Sequence, residues 1–210
     1  MQKRFGDRAA AGAVLGDELA TRQLTDPVVL GLARGGVVVA AAVAHRLGAD
    51  LDVLVVRKLG HPRAPELGLG ALAEDGEPVY DDVGLAAAGL LRSDLADAVA
   101  SERAECRRRV AAYRGDRGQV DVSGRTVVLV DDGVATGVTA RAALLSLRAR
   151  DVAWLVLATP VAADGALAQL DRHTDDVVAL LMPRDLVAVS RWYVHFDQTG
   201  DDEVRRLLRG

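Results

Sequence analysis

The chain has 210 residues, long enough for one well-buried core, and half of them are hydrophobic. A net charge of -4 argues against the broad basic face of a nucleic-acid-binding domain, and charges or glycines interrupt every apolar run before the roughly 20 residues of a membrane span. The single cysteine, Cys106, can close no disulfide within the chain, and MQKRFGDRAAAG lacks the apolar stretch of a secretory signal, so a cytoplasmic protein without nucleic-acid or membrane partners is expected.

Residues 7–22 read as a first helix, followed by a break at TDP and a short apolar run, residues 28–32, that suits a buried strand. Residues 37–47 read as a helix ended by Gly48, and residues 51–56 as a second buried strand. KLGHPRAPELGLG, residues 58–70, carries two prolines and three glycines and reads as a long flexible lid. ALAEDGEPVYDD reads as a short hairpin turning near Asp75 and Gly76. Ser93 is expected to cap a long helix to about Tyr113, whose basic run RAECRRRVAAYR reads as a solvated face. Residues 127–130, 153–159 and 177–181 are further buried strands, with helices over 138–150 and 163–171 between them. This alternation predicts an α/β fold with a mainly parallel twisted sheet flanked by helices, one domain over residues 1–210.

In such a sheet, ligands bind where the carboxyl ends of strands run into helix N-termini. VVLVDDGVATGVTA, residues 127–140, stands at that place. Gly133 and Gly137 permit tight bends; backbone N–H groups from Gly133, Val134 and Ala135 onward, with the hydroxyls of Thr136 and Thr139, can cradle a phosphate. The loop lacks the Lys of GxxxxGK[ST], and GLARGG is not GxGxxG, so neither common nucleotide motif applies. Asp131 and Asp132 would repel a phosphate, so they must face another part of the ligand. Vicinal hydroxyls are their natural partners, and a phosphate beside a diol describes a ribose 5-phosphate.

The segment resembles the phosphoribosyl-pyrophosphate (PRPP) motif of type I phosphoribosyltransferases, with Gly133 departing from the commoner aliphatic residue. LARGG, with Ala33, Arg34, Gly35 and Gly36, falls where that family keeps its pyrophosphate loop, and the resemblance implies a cis peptide near Ala33 and Arg34. RKLGHPRAPELGLG stands in the place of the family's lid, which makes Arg57 and Lys58 pyrophosphate ligands at its root and His61 and Arg63 candidate closing contacts. RFGDRAAAG, LGLARGGVVVA, VVRKLGHPRAPELGLGA and SRWYVHFDQTGDDEV together are similar to a group of bacterial phosphoribosyltransferase-like proteins. A core over residues 24–182 and a small hood over 1–23 and 183–210 are then expected.

The resemblance implies Mg2+-dependent transfer of ribose 5-phosphate from PRPP to a nitrogen nucleophile, the metal held mainly by PRPP and the charge managed by Lys58, Arg57, Asp131 and Asp132. Ala135 stands where 6-oxopurine enzymes carry an acid; adenine enzymes carry Ala there and draw a carboxylate from the lid hairpin, which nominates Glu74. Trp192 and Tyr193, in RWYVHFD, either stack on an acceptor base with Asp197 reading its edge or join the hood to the core or to a partner subunit. The family is commonly dimeric, which suggests a homodimer. A PRPP- or nucleotide-sensing module without catalysis is the alternative, because the same fold also serves regulators.

Overall fold

The computed structural model describes residues 4–209. Helix α1 (Arg8–Ala20) begins where the Asp7 carboxylate accepts a hydrogen bond from the Ala10 amide at 2.7 Å. Strand β1 (Pro27–Leu32), helix α2 (Gly35–Leu47) and strand β2 (Asp50–Leu54) follow. Next come β3 (Val56–His61), β4 (Ala64–Ala73) and β5 (Val79–Tyr80), then α3 (Asp82–Ala88) and α4 (Ala96–Arg114). The remaining elements are β6 (Thr126–Val130), α5 (Val138–Arg148), β7 (Trp154–Val161), α6 (Asp164–Leu170), β8 (Asp176–Leu181) and α7 (Asp201–Leu208).

Five strands form a parallel sheet in the order β2-β1-β6-β7-β8, and β3-β4-β5 form a separate antiparallel sheet. The central strands β1, β6 and β7 are largely apolar because both faces are covered, whereas β2 carries the buried Asp52. Val28, Leu30, Val127 and Leu129 pack with Ala143, Leu144 and Leu147 of α5 on one face. Val29, Val128 and Val130 pack with Leu15 of α1 and Val39 and Val43 of α2 on the other. From β1 the chain moves outward to β2 and later returns to β6 on β1's other side, so the loops that leave β1 and β6 part at their carboxyl ends and open a crevice.

Residues 58–70, the expected flexible lid, form a β-ribbon. Most of them lie in β3 and β4, with Arg57 opposite Leu72 and Lys58 opposite Ala71, and with register shifts on either side of Gly60. The ribbon's tip turns at His61, whose Nδ1 accepts from the amides of Arg63 and Ala64 at 3.0 and 3.2 Å. Its prolines and glycines mask the pattern in sequence, but Leu59, Leu69 and Leu72 are buried with Leu85 and Leu95, and that burial holds the ribbon in place. The expected turn at Asp75 and Gly76 lies between β4 and β5.

Helix α4 starts at Ala96, and Ser93 does not cap it: residues 92–95 form a single 3-10 turn, with the Asp94 carboxylate accepting from the Leu91 amide. The basic run of α4 is only partly solvated. Arg107 and Arg108 are exposed, but Arg114 turns inward to Asp52, which is fully buried, at 3.1 Å and to Glu74 at 2.7 Å. Helices α3 and α7 were not foreseen from the sequence. Helix α7 buries Val204 and Leu208 against Cys106 and Tyr113 of α4, a partner almost a hundred positions away. Segments near the start and end of the described residues meet, where the Phe5 amide donates to the Trp192 carbonyl and the Val194 amide to the Phe5 carbonyl; α1, expected in the hood, packs on the sheet. Among the described residues no helix is long and apolar enough to cross a membrane.

The Arg114 pairs hold β2 to the root of the β3–β4 ribbon, since Glu74 also accepts from the Val55 amide between the two sheets. Removing the guanidinium leaves two buried carboxylates with only the longer ion pairs to Arg117 and Arg150, at 3.6 and 3.9 Å. Arg114→Ala is expected to cost about 3–5 kcal/mol of unfolding free energy by urea denaturation; a loss below about 1 kcal/mol would show that the network carries little of the fold.

Candidate active site

Strand β6 runs straight into Asp131 and Asp132 after Val130, its last residue, which is fully buried. The chain then turns through Gly133–Gly137 into α5. Gly137 takes a left-handed φ of 78° at the start of that helix, with no side chain capping it. Among the described residues no protein group accepts a hydrogen bond from the amides of Ala135, Thr136 or Gly137. A helix start with free amides and two adjacent threonine hydroxyls is a seat for an anion. A cavity of about 310 Å3 opens over it, with Asp131, Asp132 and Thr139 in its wall.

The opposite wall is the loop after β1, where the Ala33–Arg34 peptide is cis. Gly35 and Gly36 press directly on the acidic pair. A Cβ at Gly35 would stand 2.0 Å from the Asp132 carboxylate, and one at Gly36 only 2.8 Å from the Val130 carbonyl oxygen and 3.1 Å from the Asp131 Cα. Only glycine lets the two strand ends approach this closely. The cavity is therefore the gap between two loops that side chains would have pushed apart.

The two carboxylates sit in different settings. Asp131 accepts from the Asp132 amide at 2.9 Å, and burial together with the neighbouring Asp132 charge holds its carboxyl well above the usual range, opposed in part by Lys58 and Arg8. Asp132 is ion-paired to Arg8 Nε at 2.6 Å, and its carbonyl oxygen accepts from the Tyr193 hydroxyl at 2.6 Å.

Of the expected cations, Lys58 and Arg34 line the cavity. Arg57 does not. Neighbours in a strand point to opposite faces, and Arg57 pairs with Glu102 of α4 at 2.6 Å. Reading this segment as coil had allowed both side chains one target; the strand forbids it. Arg34 faces the loop but lies 3.5 Å from Asp201 at the start of α7, and Tyr113 donates to the same oxygen at 2.8 Å. Those two neighbours hold the Asp201 carboxyl below its ordinary range. His61 and Arg63 sit at the ribbon's tip, away from the cavity walls.

Glu74 is not brought to the cavity. Its carboxylate is buried and tied to Arg114 and the Val55 amide, and burial pushes its pKa up. Trp192 and Tyr193 are also enclosed: Tyr193 is 2% exposed, with Phe5 and Phe196 at 5.7 and 4.9 Å between ring centres. These rings join hood to core behind Asp132 and present no free face for stacking. The apolar side chain that does reach the cavity from the hood is Val189, which the sequence reading passed over. It explains the departure at position 133: a Cβ on Gly133 would stand 2.3 and 2.6 Å from the Val189 methyls, so the space of the commoner aliphatic residue is filled from a segment 56 positions further along the chain. Arg8 was missed as well. The signal FGDR marks a helix cap locally, and nothing near it points to Asp132.

Residues 8–191 match the phosphoribosyl transferase domain family, and the chain belongs to it. It is 44% identical, over 98% of its length, to a Mycobacterium tuberculosis protein named "Putative phosphoribosyl transferase". The match takes in 46% of that protein, so the chain spans about half the length of the curated relatives it matches. The crystal structure of TT1426 from Thermus thermophilus is 45% identical, with a TM-score of 0.82 over 98% of this chain and 97% of that one. Adenine phosphoribosyl transferase from Trypanosoma brucei, at 14% identity and a TM-score of 0.50 over 83% of this chain and 74% of that one, shares the fold. The parallel sheet and its crevice are thus those of a type I phosphoribosyltransferase.

Val189 and Gly133 form a knob and its hole. Gly133→Ala is expected to lose about 1–3 kcal/mol of stability by overpacking, and Val189→Ala in the same chain to recover most of it in a double-mutant cycle. Strict additivity, within about 0.5 kcal/mol, would show that the two do not compete for that space.

Proposed function

We propose that the protein is a Mg2+-dependent phosphoribosyltransferase that moves ribose 5-phosphate from PRPP to a nitrogen nucleophile and releases pyrophosphate, in the cytoplasm where that donor is made. The observation that carries this reading is one cavity lined together by free loop amides and threonine hydroxyls, a carboxylate pair, and two cations, Arg34 and Lys58. Each set of groups suits one part of the donor. The amides of residues 135–137 with Thr136 and Thr139 take the 5-phosphate, Asp131 and Asp132 take the ribose hydroxyls, and Arg34, Lys58 and the amides of Gly35 and Gly36 take the pyrophosphate.

Displacement at the anomeric carbon passes through a transition state with oxocarbenium character, positive on the ring and negative on the departing pyrophosphate. The carboxylates lie on the ring side and the cations on the leaving side, an arrangement whose attraction grows as charge separates. Arg34 must exchange Asp201 for pyrophosphate to take part. Among the described residues no group of three or more His, Cys, Asp or Glu side chains is placed to hold a metal ion. A magnesium ion carried on the donor would neutralise the leaving group's charge; no residue here is assigned as its direct ligand. On the acceptor side Ala135 offers no base and Glu74 is out of reach, so the acceptor must attack with a nitrogen that needs little help from a protein carboxylate. Val189 supplies the apolar wall beside it.

A PRPP-sensing module is the second reading, favoured by the Arg57–Glu102 pair, which takes one expected pyrophosphate ligand out of the cavity. A pyrophosphate-release assay with PRPP, Mg2+ and a panel of bases and small amines separates the two. Lys58→Ala is expected to bind PRPP but to slow release by about a hundredfold or more, the scale of one lost electrostatic contact to the transition state. Unchanged turnover removes Lys58 from the mechanism, and PRPP binding with no product from any acceptor favours the sensor.

A further inference from the structure

Arg8 has no role in the chemistry above, yet it touches three parts of the molecule. Its Nε lies 2.6 Å from the Asp132 carboxylate, its Nη1 donates to the Asp197 carbonyl oxygen at 2.7 Å, and its guanidinium lies over the Phe196 ring at 3.7 Å. The partners are 124 and 189 positions away in sequence, and the ion-paired side chains are only 12% and 17% exposed. The planar fork is the one side chain that can satisfy a carboxylate, a carbonyl and an aromatic face together.

The charges explain why such a group is needed. Two adjacent carboxylates beside an anion seat repel each other and the ligand's phosphate. The groups that face them are few: Lys58 from β3, Arg8 from α1, the Tyr193 hydroxyl on the Asp132 carbonyl, and Arg34 across the cavity, itself paired to Asp201. Lys58 is an exposed strand residue with no ion-pair partner among the described residues, so Arg8 is the fixed compensating charge.

We propose that Arg8 is a positioning residue: it compensates the acidic pair and bolts the hood to Asp132, which lets two carboxylates stand beside an anion seat and face a ribose diol at neutral pH. The inference rests on the cavity being a ribose-phosphate site. Burial keeps the pKa of Asp131 high, and Lys58 and Arg8 both lower it. Binding to the ionised Asp131 carboxylate strengthens as pH rises through its pKa, so removing Arg8 moves that rise to higher pH.

Calorimetry from about pH 5 to about pH 9 on wild type, Arg8→Lys and Arg8→Ala, with ribose 5-phosphate and inorganic phosphate as probes, tests this. Each probe's own phosphate ionisation cancels when a variant is compared with wild type, so a variant effect seen with ribose 5-phosphate and not with inorganic phosphate isolates the ribose. Arg8→Ala is expected to weaken ribose 5-phosphate about tenfold or more at neutral pH, to raise the pH midpoint of its binding by about one unit, and to leave inorganic phosphate nearly unchanged. Arg8→Lys, which keeps the charge without the fork, should restore the midpoint and only part of the affinity. If wild type binds ribose 5-phosphate but neither variant moves the midpoint, or both probes weaken alike, the role of Arg8 is overturned and the site stands. If wild type binds inorganic phosphate and gains nothing from the ribose, the reading of the cavity falls and this inference with it.

Discussion

The structure around the cavity depends on one contact: the loop after β1 laid directly against the carboxylates that end β6. Two parallel neighbours in a sheet carry their following loops side by side, and ordinary side chains would wedge them apart. Glycines at 35 and 36 remove the wedge, and Asp132 fills the space they leave. A site that offers amides, carboxylates and cations within about 310 Å3 exists because backbone meets backbone there.

That closeness raises an electrostatic problem which the surrounding elements solve. The hood's aromatic cluster, Phe5, Tyr193 and Phe196, supplies a dry wall, and within it one hydroxyl and one guanidinium are aimed at Asp132. Across the cavity Asp201 holds Arg34 in a partly buried pair, and Glu102 holds Arg57 away from it. An anion bound at Arg34 would compete with Asp201 at the start of α7. Lys58 has no such competitor among the described residues. Helix α7, which begins with Asp201, packs on α4 through Val204 and Leu208.

Strand geometry sorted residues that look equivalent in a linear reading. Arg57 and Lys58 are adjacent, and as coil they would share a ligand; as β3 they face opposite ways. Glu74 reads as a candidate catalytic carboxylate and the basic run of α4 as a solvated face, but Arg114 turns in between β2 and the ribbon's root to the buried Asp52 and Glu74, with Arg117 and Arg150 further out. Trp192 and Tyr193 were conspicuous because aromatics are scarce in the chain, at 3%. Scarcity marked them as important but could not say whether they serve a ligand or the packing.

What the sequence determined by itself was everything encoded within a few turns of chain: the apolar runs of the parallel strands, the strand–loop–helix placement of DDGVATGVT, the glycines of LARGG, and through them the fold class and the position of the cavity. Local period and turn chemistry suffice for these because each is decided by neighbours in the chain. Only the tertiary structure decided the partners of charges and the occupants of gaps: Arg8 on Asp132, Val189 in the space over Gly133, Asp201 on Arg34 and Glu102 on Arg57. Such contacts join segments up to nearly two hundred positions apart, and direct contact between distant side chains has no period and leaves no trace in the order of residues.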